Sequence, residues 1–408
     1  MKNIKRLLLL FILLLIPFNV FADEININST NAIMINLNNN KILYEKNKDD
    51  RINVASMQKI MTALVAIKNK ENLDESFTID YGLFDSLDPE LVMVGFEGGD
   101  TVTYNDLLYG TLLKSGGDAA YALGIKISGS EEEYAKLMND KAKELNLLNS
   151  NFVNTTGLDI DNQYSTVNDI AMLLKYSLND KKFKTIFTTK EYTTSNGYYE
   201  FKGPIAKAND LSMPYFKGGK TGFTDSAGRC LASYAEKDGV EFLLVTAGAP
   251  DEIDNSNYLD HKTLYEYFMN NYSFKTIVKD GDIIDKINTI YDDEVELKAP
   301  QDVELYLKND IDIEDLEVYY KGKTELDRSI HEGDKIGTYY IEYDGDILYK
   351  EKILSPITVK FKLRTPYKII LGLVLLLIIV KLLTKKRKRR RKRRIRYWKI
   401  LILMLKCL

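Results

Sequence analysis

Histidine and cysteine are scarce in this 408-residue chain, which has two of each. The histidines, His261 and His331, fall in segments of different character. That argues against a histidine-rich zinc site and against a Ser-His-Asp triad, both of which need a histidine beside its partners. Each histidine reads as a packing or surface residue, and no metal or other cofactor is expected. The cysteines, Cys230 and Cys407, are separated by an apolar run long enough to cross a membrane, so no disulfide framework is expected. Acidic residues are missing before Asp23 and after Lys381. Basic residues are not: three precede Asp23 and fourteen stand from Lys381 onward. Removing those seventeen from the 56 leaves 39 basic against 59 acidic residues, a net charge of −20 for the middle of the chain. An acidic body with basic ends points to two compartments.

The ends explain the segregation. Lys2, Lys5 and Arg6 precede an apolar run over 7–16, and Val20 and Ala22 form an A-x-A-like site before Asp23. Residues 1–22 therefore read as a secretory signal; an uncleaved anchor has the same pattern. Near the other end, 367–383 is apolar for about 17 residues, or ~25 Å of helix, enough to span if the flanking lysines snorkel. An unbroken basic block, 385–394, follows. Alone it could be a nucleic-acid patch; directly after a span, the positive-inside rule makes 384–408 a cytoplasmic tail and places the body outside. Nucleic acid is not an expected partner. The last stretch, 397–408, is too short to span and suits the membrane surface.

Between these ends the pattern is α+β. Residues 32–37 and 41–45 make a hairpin around Asn38-Asn39-Asn40. Met57, Ile60, Met61, Leu64 and Val65 form a helical stripe. Two helices, over 105–114 and 118–128, are broken by Ser115-Gly116-Gly117. Ser130 and Glu133 form a capping box, and Thr166 caps a further helix. Strands return near 215–224, 229–235 and 240–249, the last two joined by Glu236-Lys237-Asp238-Gly239, and a helix over 259–268 completes the region. The expected fold is an antiparallel sheet flanked by a helical cluster over 23–272, its N-terminal hairpin closing onto the C-terminal strands. Residues 275–360 alternate in short segments between Asp280-Gly281, Lys321-Gly322, Gly333-Asp334 and Asp344-Gly345, which predicts a small all-β domain. The membrane helix follows it.

Without a histidine, a serine nucleophile needs another base. Ser56 and Lys59 stand three apart at the start of a helix, hence on one face. Lysine can accept the proton if its pKa falls from about 10.4 to ~7–8, at roughly 4 kcal/mol. Burial, a nearby cation and a helix N-terminus all push that way. Ser-x-x-Lys alone is a weak signal, since an exposed helical lysine gives it too. Ser115-Gly116-Gly117 presents a second hydroxyl on a loop tip, or is a plain helix–helix turn. Lys220-Thr221-Gly222 puts a cation, a hydroxyl and a glycine open to close approach on a strand, or is a strand-end bulge. The stretch 218–222 is not a phosphate loop, because Pro214 occupies the required glycine position. Serine-lysine, serine loop and Lys-Thr-Gly in that order form a serine acyl-transfer set.

With these motifs the body, over roughly 30–360, resembles the D-alanyl-D-alanine carboxypeptidases among the low-molecular-weight penicillin-binding proteins. The likeness is carried by NAIMINLNNNKILYEKN, ASMQKIMTALVA, LLKSGGDAAYAL, NFVNTTGLDIDNQYSTVNDIAMLL and FKGGKTGFTDSAGRCLASYA. The resemblance implies that Ser56 forms an acyl-enzyme with the penultimate D-Ala of a peptidoglycan stem peptide and that Lys59 takes its proton. Ser115 relays a proton to the leaving D-Ala. Lys220 and Thr221, with Gly222 beside them, hold the substrate carboxylate. The N–H groups of Ser56 and Phe223 form the oxyanion hole. β-Lactams would acylate the same serine. The chain departs from the family at Gly117, where asparagine is usual: an amide that would hold substrate and lysine is missing. Two other readings remain. A β-lactamase needs a Glu on the loop before Lys-Thr-Gly, and GLDIDNQYSTVND has only aspartates. A non-catalytic or weakly active wall-binding or sensor protein is compatible with Gly117.

Overall fold

A computed structural model describes residues 25–361 and 365–406. The predicted signal segment lies outside the described residues. The chain divides into two units, Met1–Asn270 and Asn271–Leu408.

The first unit is built on one antiparallel sheet. Strand β1 (Asn31–Asn36) is buried along its whole length and turns into β2 (Lys41–Lys46) through Asn40, whose φ of +60 an asparagine tolerates. Strands β3 (Phe216–Thr224), β4 (Gly228–Lys237) and β5 (Val240–Ala249) follow as a meander. The order is β2-β1-β5-β4-β3, all neighbours antiparallel. The N-terminal hairpin thus closes onto the C-terminal strands, and the Lys-Thr-Gly strand β3 lies at an edge.

Helix α1 (Lys59–Asn69), entered through a 3-10 turn at Ala55–Gln58, is the centre of the helical layer. The stripe in its sequence predicts one buried face. Instead every residue from Lys59 to Ala66 is buried, because α2 (Gly117–Ser128), α3 (Glu131–Glu144) and α4 (Val167–Leu178) pack around it. Burial of Ile60, Met61 and Leu64 contributes roughly 1.5–3 kcal/mol each. Helix α4 also covers one face of the sheet, packing on β1 and β5. Of the capping box at Ser130, only Ser130 Oγ accepting the Glu133 N–H is made among the described bonds. The reciprocal box forms at Thr103 and Asp106, ahead of the helix Tyr104–Tyr109.

The other face of the sheet carries α5 (Ser256–Asn271). By strand alternation Phe242 and Thr246 point this way, and Phe242 meets the Tyr265 ring. His261 lies fully buried between Ser233 Oγ (2.7 Å) and Thr246 Oγ1 (3.1 Å), so it is a packing histidine. Beside it the Asp260 carboxylate accepts the N–H groups of Asn28 and Ser29 at 2.8 and 2.7 Å, tying the N-terminal approach to β1.

The second unit begins as an all-β domain. Among the described residues it holds one two-stranded and two three-stranded sheets around Leu297, Leu305, Leu326, Tyr339 and Ile341. Gly281, Gly333, Asp344 and Gly345 take positive φ in turns, as their turn signals predict. Lys321-Gly322 does not turn: it pairs with Thr338 and Gly337 inside the strand Glu317–Gly322. The apolar run predicted at 367–383 belongs to a longer helix, α6 (Thr365–Lys406), which continues through the basic block. This helix is long and apolar enough to cross a membrane.

Burial pushes the His261 imidazole down to about 3. The unfolded chain then binds a proton near pH 6.5 that the folded one refuses, so stability falls as pH drops from 6.5 toward 3. The expected slope from this group is about 1.4 kcal/mol per pH unit. Thermal unfolding of His261→Gln is expected to show a shallower acid loss than the parent; equal slopes would refute this.

Candidate active site

The serine is placed by a strained turn held between two glycines. Ala55, just before it, has φ +46, a left-handed conformation that costs a non-glycine residue about 1–3 kcal/mol. A Cβ at Gly157 would stand 2.3 Å from the Ala55 carbonyl oxygen, and one at Gly222 would stand 3.1 Å from the Ser56 nitrogen. Glycine at each position lets a loop and the edge strand press directly on the Ser56 backbone. Gln58 fastens the same turn by donating to the Asn154 carbonyl and side-chain oxygens. Asn154 Oδ1 in turn accepts the N–H groups of Thr156 and Gly157.

Lys59 is buried at the first turn of α1. Its Nζ lies 2.8 Å from Ser56 Oγ and 2.6 Å from the Thr156 carbonyl oxygen. Burial pushes the amine down to about 7, against the opposing pull of the Asp118 carboxylate. Desolvation is the largest cause. In its neutral form the amine keeps a proton for Thr156 and presents a lone pair to the serine.

A second serine–lysine pair stands alongside. The helix Tyr104–Tyr109 widens into a π turn over Gly110–Lys114 and stops at Ser115, whose φ is +65. π turns recur at functional sites. This geometry turns Ser115 Oγ toward Lys220 Nζ, 2.8 Å away; that nitrogen also donates to the Thr221 carbonyl at 2.7 Å. Lys220 is buried, and burial followed by the charge of Lys59 drives its amine well below the ordinary lysine value. The two amines share one low-dielectric pocket, so charge on one disfavours charge on the other.

In front lies a cleft of about 510 Å³ that contains Ser56 and Phe223 and is walled by Leu91, Thr156, Leu158 and Thr224. Its rim is acidic, with Asp88, Glu90, Asp159 and Asp225. The structure thus brings Ser56, Lys59, Ser115, Lys220, Gly222 and Phe223 to one place, with half-buried Thr221 next along the strand. Gly117 starts α2 and adjoins Leu91. Sequence reasoning missed Thr156, Asn154, Gly157 and Leu91. Asn154-Thr155-Thr156-Gly157 lies inside one of the family-like stretches but carries no charge or spacing that singles out a backbone carbonyl. Among the described residues no cluster of His, Cys, Asp and Glu could hold a metal.

A hydroxyl beside an amine near 7, with a second hydroxyl–amine pair close by, can perform serine acyl transfer without metal or histidine. The fold and the site therefore define the serine-hydrolase class to which penicillin-binding peptidases belong. Residues 19–251 match the family described as D-alanyl-D-alanine carboxypeptidase, and residues 272–361 match the C-terminal domain of penicillin-binding protein 5. The D-alanyl-D-alanine carboxypeptidase DacF of Bacillus subtilis is 29% identical across 83% of this chain and 87% of its own length. Penicillin-binding protein 5 of Haemophilus influenzae shares the fold, with a TM-score of 0.65 and 24% identity over 82% of this chain and 98% of that one. The DD-transpeptidase of Streptomyces K15 is 28% identical, with a TM-score of 0.54 over 59% of this chain and 97% of that one. This chain belongs to the D-alanyl-D-alanine carboxypeptidase family and is a serine peptidase.

The close approach at Gly157 can be weighed against a control. Gly129 has a similar φ of +86, and a Cβ added there would meet nothing within 4 Å, whereas one at Gly157, at φ +81, would meet the Ala55 carbonyl. Gly129→Ala is expected to cost about 1 kcal/mol and Gly157→Ala about 2–3 kcal/mol more. Calorimetry should register the difference as a Tm gap of roughly 4–12 °C; coincident transitions would refute the close packing.

Proposed function

We propose that this protein removes the terminal D-Ala from peptidoglycan stem peptides through an acyl-enzyme on Ser56. The observation that carries this reading is the 2.8 Å contact between Ser56 Oγ and a buried lysine held near pKa 7. Neutral Lys59 takes the hydroxyl proton as Ser56 attacks the penultimate carbonyl. The oxyanion so formed is met by the N–H groups of Ser56 and Phe223, a contribution of roughly 3–4 kcal/mol per donor. Ser115 passes a proton to the leaving D-Ala nitrogen, and water then hydrolyses the ester to free the shortened stem. Lys220 and Thr221 hold the terminal carboxylate, with Gly222 giving the substrate backbone room. That carboxylate supplies the counter-charge Lys220 lacks in the free protein, so substrate binding restores its proton. β-Lactams, whose amide mimics the scissile bond, acylate Ser56 as well. The loop before Lys-Thr-Gly, Gly157 to Asp169, contains aspartates and no Glu to hasten release of such an adduct, which disfavours a β-lactamase. Residues 1–22 act as a secretory signal, α6 anchors the protein, and the body works outside the cell with the basic block inside.

Two measurements test this. After exposure of the full-length protein in detergent to benzylpenicillin, mass spectrometry should find one adduct on the Ser56 peptide, absent in Ser56→Ala. A D-Ala-D-Ala peptide should release D-Ala at a rate that Ser56→Ala lowers at least about 10³-fold. An unmodified Ser56 together with no D-Ala release would overturn the reading. The acylation rate should also fall below a midpoint near pH 7, because protonated Lys59 has no lone pair to offer. A rate flat from about pH 5 to 8 would remove Lys59 as the base.

A further inference from the structure

Gly117 leaves vacant a place that another residue fills. A Cβ at position 117 would stand 3.0 Å from Leu91 Cβ, 3.1 Å from its Cδ1 and 3.3 Å from its Cγ. All three are tighter than ordinary carbon–carbon contact at about 3.5–4.0 Å. The backbone brings the leucine there. Gly117 N–H donates to the Val92 carbonyl at 2.7 Å. The buried Asp118 carboxylate accepts the N–H groups of Val94, Gly95 and Phe96 at 2.9–3.1 Å. Gly116 is equally close-fitted, since a Cβ there would lie 2.4 Å from Val94 Cγ2. The Ser115-Gly116-Gly117 turn and the 91–96 stretch thus interlock through two glycines and one carboxylate. Their junction puts Leu91 on the wall of the cleft that contains Ser56.

We propose that Leu91 is a specificity-determining residue that replaces the side chain missing at 117. It gives the cleft an apolar wall that grips the substrate's penultimate side chain by contact, where an amide at 117 would grip the substrate backbone by hydrogen bond. This rests on the acyl-transfer reading above. An apolar wall favours a small apolar side chain such as the methyl of D-Ala, and it strands a polar one without a partner. Leucine and a larger residue at 117 exclude each other, so restoring the family's asparagine evicts Leu91 instead of adding a contact.

The test uses full-length protein in detergent, a fluorescent penicillin, and an N-acylated L-Lys-D-Ala-D-Ala tripeptide. The variants are Leu91→Ala, Leu91→Met, Gly117→Asn and the Leu91→Ala/Gly117→Asn double, each checked for an unfolding transition like the parent's. Leu91→Ala should raise KM for the tripeptide about fivefold with kcat within about twofold, and Leu91→Met should restore it. Gly117→Asn alone should slow acylation about tenfold or more. The double variant should recover at least about fivefold over Gly117→Asn, since two of the three tight contacts are gone. Gly117→Asn acylating as fast as the parent, additive variants, or an unchanged KM in Leu91→Ala would overturn the proposal. A parent inert to both probes would instead overturn the acyl-transfer reading and this inference with it.

Discussion

The burial of one lysine at the front of the central helix is the constraint on which the site depends. A charged amine resists transfer out of water, and each pKa unit of depression represents about 1.4 kcal/mol. Lys59 is brought down to about 7, a cost of several kcal/mol that the surrounding packing must offset. The offset lies in the same helix: the residues behind Lys59 are buried on all sides, not along one stripe. A helix with a single apolar face would have left its first turn half in solvent and its lysine fully charged. Packing of α2, α3 and α4 around α1 is thus both the core of the unit and the source of the amine's chemistry.

The second constraint is closeness of backbone to backbone. The Ser56 turn, the Asn154–Gly157 loop and the edge strand meet with no side chain between them at Gly157 and Gly222. Two serine–lysine pairs, whose partners stand 3 and 105 residues apart in the chain, come near each other as a result. Both amines are buried and held toward their neutral forms while four carboxylates line the cleft, so the free site is negative at its mouth. A ligand with an anionic end is repelled at the rim and satisfied only where the amines are.

What the sequence disclosed was whatever depends on spacing along one element. Ser56 and Lys59 share a face because they are three apart, and Ser115 breaks a helical pattern in a way that glycines advertise. The Glu236-Lys237-Asp238-Gly239 turn marks the strands on either side of it, and the sheet closure follows from strands at both ends of the domain. What stayed hidden depends on neighbours brought from elsewhere. The Thr156 carbonyl bears no chemical signature in sequence, yet it holds Lys59. Leu91 sits in an irregular stretch, and its role exists only because Gly117 leaves room for it. The π turn before Ser115 is a matter of packing, not of propensity. Lys321-Gly322 has the composition of a turn, but pairing with Thr338 and Gly337 overrides it. Tertiary context decided each of these.

The C-terminal helix follows a different rule, in which solvent rather than packing sets the composition. Apart from Gly372 and Lys381, its side chains from Ile369 to Leu383 are large, apolar and exposed, a state that water disfavours and lipid accepts. At 42 residues α6 is about 63 Å long, roughly twice the ~30 Å hydrocarbon core of a bilayer. The whole helix therefore cannot lie within the membrane. The apolar part ends where Lys385 begins the basic block, and ten consecutive lysines and arginines would each be costly in hydrocarbon. Composition thus marks which part of one continuous helix suits lipid: the boundary comes from the solvation of side chains, with no break in the backbone to mark it.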